Sequence, residues 1–526
     1  MTKKLVVFLT FLSITQIVVA QQATIYNVAP NSEIDRYLRT MELAGVARTN
    51  QMHVRNRATG NWTIGREHPW REQLHVQKEN IQVTNFSSFN SNYPHGGNDG
   101  GLWQGRGLNN RFTVGWVGNS DIAGNNIVLR LFPEFIFMEN RDFEILPSAF
   151  ESEYGNYRSS PDVPQRFGSN SIVNLIPGDS ELRFSRGSLT AFIGTSDIWL
   201  GPAEYNAIIH SNNAEGYPKF GLGVLPKTTP IGDVEFLYSF GYMESSELFD
   251  SLPDSDGAII SLISLSLQPN LLSGFTVGVH RALIGNAVTG SFGNAVLSSV
   301  NPIMNTEMGR DDFSQRASIT GEWRFPDVGF SVYGEWARND YSPGYHYIMR
   351  SPGHSQAFTI GLNQVLSHSD SRYTRINLEL SELVLSPTYL IGLGLGGTFY
   401  GHQIVEQGYS HRGQIVGAAV GSGGDSQRMT IDHYIPGGRI GFFFHRQSRD
   451  KDFIYGNRAN FYFNNPTDPG IRRMNVNVAY GLTGSTWIGP VSVGAEAALL
   501  HDMNWNWTRE NDSFGFRVAI TSSVEF

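Results

Sequence analysis

The chain contains no cysteine among its 526 residues. This absence excludes a disulfide framework and any metal site that depends on cysteine ligands. Positive charge is also in the minority, with 39 Lys and Arg against 48 Asp and Glu and a formal net charge of -9. Because an acidic chain repels polyanions, we expect no nucleic-acid partner.

Long apolar runs are scarce as well. One run of about fifteen residues extends from Leu5 to Val19, after Lys3 and Lys4 and just before Ala20. It is shorter than the roughly 20 residues of a membrane-spanning helix, and it predicts a secretory signal peptide, residues 1–20, cleaved after Ala20. No later run reaches that length. If the exported chain enters a membrane, it must do so as a closed barrel, which satisfies every backbone hydrogen bond in lipid.

The chain has instead a repeated alternation of apolar and polar residues. It recurs at 234–242, 376–381, 474–482 and 491–499, and the final segment places on one face Phe514, Phe516, Val518, Ile520, Val524 and the terminal Phe526. A period of two is typical of a strand with two different faces, and an aromatic terminus is typical of outer-membrane barrels. Roughly sixteen to twenty such segments predict an all-β fold, a transmembrane antiparallel outer-membrane β-barrel over residues 81–526.

A different pattern precedes the strands. Ser32 stands before two acidic residues, and apolar residues at helical spacing follow it as far as Gly45. A capping serine, an acidic first turn and a terminal glycine predict a helix. A weaker helical stretch extends from Pro69 to Lys78. We therefore expect residues 21–80 to form a small helical plug or cap at the periplasmic mouth of the barrel.

Several blocks of sequence resemble a known family. In chain order they are 99–109 (DGGLWQGRGLN), 133–135 (PEF), 139–143 (ENRDF), 198–202 (IWLGP), 208–214 (IIHSNNA), 332–336 (VYGEW) and 409–417 (YSHRGQIVG). With the helical start they cover nearly the whole mature chain, and the chain resembles the capsule assembly Wzi family. The resemblance implies an outer-membrane barrel of about eighteen strands, occluded by periplasmic helices and by loops, that acts as a lectin-like anchor for capsular polysaccharide.

The resemblance also implies where the chain works and with what. The location is the outer membrane of a Gram-negative-type bacterium. The implied partners are capsular or extracellular polysaccharide and outer-membrane lipid, with the polysaccharide export machinery as a further candidate. An open diffusion porin remains the alternative function, because a polar inward face supports it too.

The chemistry of sugar binding selects candidate residues within these blocks. Aromatic rings cover the apolar faces of sugars, while amides, carboxylates and guanidinium groups bond several hydroxyls. The glycan-binding candidates are Trp199, Tyr205, Asn212, Asn213, Tyr409, His411, Arg412, Gln414, Trp103 and Arg106. The alternative for each is a structural role in locking an inward-folded loop. The insertion from Glu144 to Asp179 is predicted to be an exposed, flexible loop.

Motifs for catalysis and cofactors are missing from the sequence. There is no Gly-x-Ser-x-Gly elbow, no phosphate loop and no zinc-like spacing of histidines. A hydrolytic pair of carboxylates would make the chain a glycan-modifying enzyme, a third hypothesis, and the predicted inward positions hold Glu235, Glu322, Glu335, Glu379 and Glu496. We expect these carboxylates instead to pair with inward arginines such as Arg324 or to face water. The sequence thus predicts a binding protein with no catalytic residue, no cofactor and no metal.

Overall fold

The computed structural model describes residues 22–65, 67–74, 80–249, 257–287, 313–339, 349, 353–368, 371–384, 398–454 and 473–526. The predicted signal peptide, residues 1–20, lies outside this part of the chain. The end of the second predicted helical stretch, which includes Lys78, lies outside it as well.

The N-terminal segment, residues 22–74, precedes the barrel. Its described residues form β1 Gln22–Ile25, α1 Glu33–Leu43, β2 Ala47–Thr49, β3 Val54–Arg55 and β4 Trp62–Gly65. Strands β1, β4 and β2 make a small antiparallel sheet in that order. The hydroxyl of Ser32 accepts a hydrogen bond from the Asp35 backbone N–H at 3.2 Å, as a helix cap does. The helix predicted after Ser32 is therefore confirmed. In the second predicted helical stretch, the described residues 70–74 form turns followed by irregular chain.

In the rest of the described chain nearly all of the regular secondary structure is strand. In chain order the strands are β5 Ile81–Asn90, β6 Gly107–Ile122, β7 Asn125–Leu131, β8 Glu134–Met138, β9 Ile172–Ile176, β10 Glu181–Arg186, β11 Leu189–Gly194, β12 Trp199–Leu200, β13 Lys219–Thr229, β14 Gly232–Met243, β15 Ala258–Pro269, β16 Phe275–Asn286, β17 Phe313–Phe325, β18 Phe330–Asn339, β19 Gln356–His368, β20 Arg372–Glu382, β21 Ser410–His411, β22 Gln414–Ile415, β23 Asp425–Ile435, β24 Gly438–Arg449, β25 Asn475–Ile488, β26 Val491–Met503 and β27 Ser513–Glu525. Two short 3-10 helices span Pro326–Val328 and Trp505–Trp507. Among the described residues, none of the helices is long and apolar enough to cross a bilayer.

The wall strands close into an antiparallel barrel. Counted over the described residues there are eighteen, because β7 continues as β8, β9 continues as β10, and β12, β21 and β22 belong to loops. Strand β27 pairs with β26 and with β5, and Ile81 and Phe526 exchange backbone hydrogen bonds where the first and last strands meet. The predicted wide barrel and its amphipathic final strand are therefore confirmed.

The alternation read from the sequence separates an outer face from an inner one. On β20, Leu378 and Leu380 point outward and are 39% and 52% exposed, whereas Asn377 and Glu379 point inward and are buried. Outward positions along the wall are mostly aliphatic or aromatic, as a lipid-facing band requires. The inward side chains are polar and meet further parts of the chain inside the barrel.

The two ends of the barrel differ. At one end of the barrel, the turn end, neighbouring described strands follow each other after short connections such as Ala123 and Gly124. Both residues have positive φ values, 51° and 75°, which suit the tight turn of a two-residue hairpin and favour glycine at the second position. The connections at the other end, the loop end, are much longer, and several fold back into the lumen.

Candidate functional site

Buried carboxylates on the inner wall hold the N-terminal segment inside the barrel. The Glu235 carboxylate on β14 accepts hydrogen bonds from the backbone N–H groups of Met52, His53 and Val54 at 3.3, 3.0 and 2.9 Å. Glu235 is 4% exposed. Three amide donors compensate the burial of one carboxylate, so this site fixes the path of the segment through the lumen.

The same device fixes the loop between β11 and β13, residues 195–218, which we name the lumen loop. The Glu379 carboxylate on β20 accepts hydrogen bonds from the N–H groups of Glu204, Tyr205 and Asn206 at 2.7 to 3.1 Å. Glu335 on β18 accepts a hydrogen bond from the N–H of Ile208 at 2.8 Å. The lumen loop is thus bound to the barrel wall by backbone donors.

These contacts correct one expectation from the sequence. Glu235, Glu335 and Glu379 were expected to pair with arginine or to face water, but backbone amides occupy them because loops fold inward over those strands. The other two predicted inward carboxylates do meet arginines. Glu322 lies 3.8 Å from Arg324, and Glu496 lies 2.8 Å from Arg517.

The N-terminal segment and the lumen loop pair with each other. Strands β3 and β12 are antiparallel, with Val54 opposite Leu200 and Arg55 opposite Trp199. The Gly201 N–H donates to the His53 carbonyl at 2.8 Å, which extends the ladder by one bond. Chain from the N-terminus and chain from a loop-end connection therefore meet in one short sheet inside the barrel.

Arg55 strengthens this meeting point with its side chain. Its guanidinium donates to the Asp35 carboxylate at 2.6 Å and to the Ala203 carbonyl at 3.1 Å, and it lies over the Trp199 ring with Cζ 5.1 Å from the centroid. Burial alone would raise the pKa of Asp35, but Arg39 and Arg55 hold it below its usual value. The carboxylate is therefore charged, and the buried pair links α1 to the lumen loop.

The candidates on the lumen loop have different positions. Trp199 is fully buried, and its indole N–H donates to the Ala203 carbonyl at 3.1 Å. Asn213 donates to the Ile415 carbonyl and accepts from the Asn98 N–H, so its amide is engaged in holding loops together. Tyr205 and Asn212 line an internal cavity.

The second block of candidates lies beside the first. The side chain of Gln414 donates to the Asn213 carbonyl at 3.1 Å, and the Ser211 N–H donates to the Val416 carbonyl at 3.0 Å. The structure thus brings residues about 200 positions apart into one cluster. Tyr409 is fully buried and donates from its hydroxyl to the Ile209 carbonyl.

Within this cluster, Arg412 is the most exposed candidate. Its side chain is 43% exposed and bonds the carboxylates of Glu215 at 2.8 Å and Glu244 at 2.6 Å. His411 beside it is buried and accepts a hydrogen bond from the Glu244 N–H through Nδ1. The result is a charged triad at the loop end, Arg412 with Glu215 and Glu244, that has donors and acceptors suited to sugar hydroxyls.

Trp103 and Arg106 belong to another connection. Trp103 packs against Phe167 with ring centroids 5.1 Å apart. Arg106 donates to the carbonyls of Ser91 and Asp142 at 3.0 and 2.6 Å. These contacts join neighbouring loops, and none of them is with a residue of the Arg412 triad.

The insertion between Glu144 and Asp179 is only in part the exposed loop that was predicted, because several of its side chains are buried and Ile172–Ile176 is wall strand β9. Arg158 makes a bidentate contact with Asp450 at 2.6 and 2.8 Å, and Asp162 bonds both the N–H and the hydroxyl of Ser246 at 2.6 Å. Burial raises the pKa of the Asp162 carboxyl to about 6. Polar partners on other loops, which the sequence could not pair with this insertion, explain why part of it is buried.

A cavity of about 480 Å³ remains inside the barrel. It extends from Gln82 and Glu525 near the turn end to the loop around Asp99, and it borders the N-terminal segment and the lumen loop. Its wall is rich in charge and hydroxyls. The arginines of this cavity were not among the candidates selected from the sequence. The alternation that predicted the strands does place the Arg428 side chain on the inner face of β23.

The barrel with its occupied lumen is similar to known outer-membrane proteins in structure. No family model matches the sequence, and no curated protein matches it. Among solved structures, Wzi of Escherichia coli, an outer-membrane protein involved in group 1 capsule assembly and a carbohydrate-binding β-barrel, is similar over 85% of this chain and 85% of its own, with 12% identity and a TM-score of 0.58. The chain has the fold of Wzi.

Two other barrels are less similar to the chain than Wzi is. OccAB2 of Acinetobacter baumannii is 10% identical over 85% of this chain and 98% of its own, with a TM-score of 0.42. OprD of Pseudomonas aeruginosa is 7% identical over 90% of this chain and 98% of its own, also with a TM-score of 0.42. The resemblance to the Wzi family that the sequence blocks indicated is confirmed as a shared outer-membrane barrel fold, and identity this low establishes the fold alone.

Proposed function

We propose that the chain is an outer-membrane protein that binds a capsular or other surface polysaccharide and retains it at the cell surface without modifying it. Wzi, which shares its fold, is described as carbohydrate-binding and as involved in capsule assembly. In this proposal residues 1–20 are a cleaved signal peptide and residues 21–80 are a plug at the periplasmic mouth. The barrel, residues 81–526, presents its loop end outside the cell.

The observation that carries the proposal is the occupied lumen. The N-terminal segment and the lumen loop meet inside the barrel through β3 and β12, and Glu235, Glu335 and Glu379 fix them to the wall. A diffusion porin needs a water-filled passage along its axis. Two segments held by buried charge-assisted hydrogen bonds oppose such a passage and favour a barrel that serves as a rigid base for a binding surface.

We place the polysaccharide site at the loop end, around Arg412. Its triad with Glu215 and Glu244 offers one guanidinium and two carboxylates that are partly exposed. Charged groups in a fixed geometry bond several sugar hydroxyls at once. The loops that carry this surface are held together by the side-chain contacts of Trp199, Tyr409 and Asn213 described above.

The direct test compares a gene deletion with the wild type by measuring cell-bound and released polysaccharide separately. We expect polymer to move from the bound to the released fraction while the total amount persists. Unchanged retention would overturn the proposal and favour the porin, which single-channel recordings would reveal as a steady large conductance.

A pair of point variants tests the placement of the site. Arg412→Ala removes the exposed guanidinium of the triad and should release part of the polymer. Arg509→Ala removes another exposed arginine, which pairs only with its neighbour Glu510 among the described residues, and should leave retention unchanged. Equal polysaccharide retention in both variants would show that the triad is not part of the binding site.

A further inference from the structure

The internal cavity is lined by one arginine that has neither an ion pair nor a side-chain hydrogen bond within the described residues. Seven arginines line it: Arg36, Arg57, Arg111, Arg375, Arg428, Arg439 and Arg517. Five of them form ion pairs with carboxylates. The pairs are Arg36–Glu33, Arg57–Asp179, Arg375–Glu204, Arg439–Glu33 and Arg517–Glu496. Arg111 donates to the Asp99 carbonyl at 2.7 Å. Arg428 has no ion pair or hydrogen bond with its side chain in the part of the chain that the structure describes.

The barrel register explains why Arg428 is left over. Arg428 on β23 lies directly opposite Glu379 on β20, and both side chains are on the inner face. Such a cross-strand pair would ordinarily form a salt bridge. The Glu379 carboxylate instead accepts the backbone donors of Glu204, Tyr205 and Asn206. The inward folding of the lumen loop therefore takes the partner of Arg428 away.

The contacts of Arg428 leave the edge of its guanidinium available. Its Cζ lies 4.4 Å from the centroid of the Tyr205 ring and 5.4 Å from that of Phe443, so the aromatic rings cover it by stacking. Arg428 is half-buried and lines the cavity. A stacked guanidinium keeps its N–H groups in a planar fork, and that fork matches a carboxylate bidentately.

The surroundings limit what the ligand can be. His445, the neighbour of Arg428 across β24, bonds the Ser426 hydroxyl, and burial lowers the pKa of His95 to about 4, so His95 adds no positive charge at neutral pH. Carboxyl groups also line the cavity, but Asp179 pairs with Arg57 at 2.6 Å, and burial raises the pKa of Asp197 and favours its neutral form. Since the other lining arginines already have ion-pair or hydrogen-bond partners, the cavity offers one free guanidinium among the described residues and suits a ligand with one carboxylate.

The rest of the lining suits a sugar. Hydroxyl and amide side chains, including Thr84, Asn377, Thr430 and Thr521, surround the space, and Tyr205 and Phe443 supply aromatic surface. A volume of about 480 Å³ is within the range of small-ligand sites. We propose that this cavity binds a short saccharide with one uronic acid, whose carboxylate pairs with Arg428. This inference rests on the proposed polysaccharide function and adds a second, internal site to it.

The test uses the purified full-length barrel in detergent and two disaccharides that differ by one carboxylate, cellobiouronic acid and cellobiose. Titration calorimetry should detect binding of cellobiouronic acid and weaker or no binding of cellobiose. Arg428→Gln should weaken cellobiouronic acid binding at least about tenfold, the effect of one charge-assisted contact. Arg372→Gln is the matched control, since Arg372 is exposed on β20 and does not line the cavity.

Two more measurements keep the result clear. Arg428→Lys retains the charge without the planar fork and should bind with intermediate affinity, which a merely misfolded variant would not do. Acetate at equal concentration should not displace the disaccharide. Displacement by acetate, equal affinity for both disaccharides or wild-type binding by Arg428→Gln would each overturn the inference. Polymer retention in cells is measured separately, so failure of this site and failure of the proposed function are distinguishable.

Discussion

Arg55 lies over the indole of Trp199, and this contact joins the N-terminal segment to a loop from the opposite end of the barrel. The two residues are also register partners in the short sheet of β3 and β12. Side-chain stacking and backbone pairing therefore act at the same point. Stacking and backbone hydrogen bonds thus connect the two segments non-covalently at this point.

The buried pair of Arg55 and Asp35 should be important for stability. In Arg55→Ala the Asp35 carboxylate keeps Arg39 but loses the partner 2.6 Å away. Breaking a buried pair from one side costs about 3 kcal/mol, so the free energy of unfolding should fall by that amount. Arg48→Ala, an exposed position in the same segment, should change it little. Thermal or urea unfolding measures both, and equal effects would contradict the role given to Arg55.

The pairing of β3 with β12 can be tested by cross-linking, because the chain has no native cysteine. Val54 and Leu200 are opposite each other, and residues directly opposite on antiparallel strands are close enough for a disulfide. We expect the double variant with Val54→Cys and Leu200→Cys to lose both free thiols on mild oxidation. Val54→Cys combined with Leu189→Cys, whose side chain is 62% exposed on the outer wall, should keep them. Thiol titration decides, and two free thiols in the first variant would refute the pairing.

Neutralising Glu379 should loosen the lumen loop. A glutamine amide cannot accept the N–H groups of Glu204, Tyr205 and Asn206 as a carboxylate does, and each weakened charge-assisted bond costs about 1.5 to 3 kcal/mol. We expect amide hydrogen exchange at residues 204–206 to speed up at least about tenfold in Glu379→Gln. Glu382→Gln on the same strand points outward and serves as the control. Unchanged protection in Glu379→Gln would show that the carboxylate does not hold the loop.

The turn around His68 should weaken in acid. His68 is buried, its Nδ1 lies 2.7 Å from the Tyr37 hydroxyl, and burial together with Arg71 lowers its pKa to about 4. The folded state therefore favours the neutral form of His68. The contribution of His68 to the free energy of unfolding should be fully present above the unfolded pKa of about 6.5 and should decline as the pH falls toward 4. Unfolding free energies across this range should fall more steeply for the wild type than for His68→Gln. An equal pH dependence of the unfolding free energy in both proteins would show that a group other than His68 causes the acid sensitivity.

Much of the barrel could be predicted from sequence because its rule is local. The alternation that placed Leu378 outward and Glu379 inward needs only neighbouring residues, and the capping of α1 by Ser32 needs only three positions. The partners of the inward carboxylates follow no such rule. Glu379 bonds amides more than 170 positions away, and backbone N–H groups carry no residue-specific signal.

The candidate site was predicted in part for the same reason. The blocks around Asn213 and Gln414 do come together, as a shared surface requires. Residue type alone could not separate Arg412, which is exposed, from Trp199 and Tyr409, which are buried. Arg428 was missed because its importance depends on a partner that another loop removes.

The pairing of Ile81 with Phe526 has a consequence for assembly. Gln82 and Glu525, one step inside that pairing, are 443 positions apart, so the last ladder joins the two ends of the wall across the longest separation in the barrel. Contacts this distant in sequence form slowly, since the chain entropy of closing the ring is lost before the ladder is gained. Until then β5 and β27 are open edges that invite pairing with other chains. We therefore expect the nascent barrel to need protection of these two edges until the final join forms.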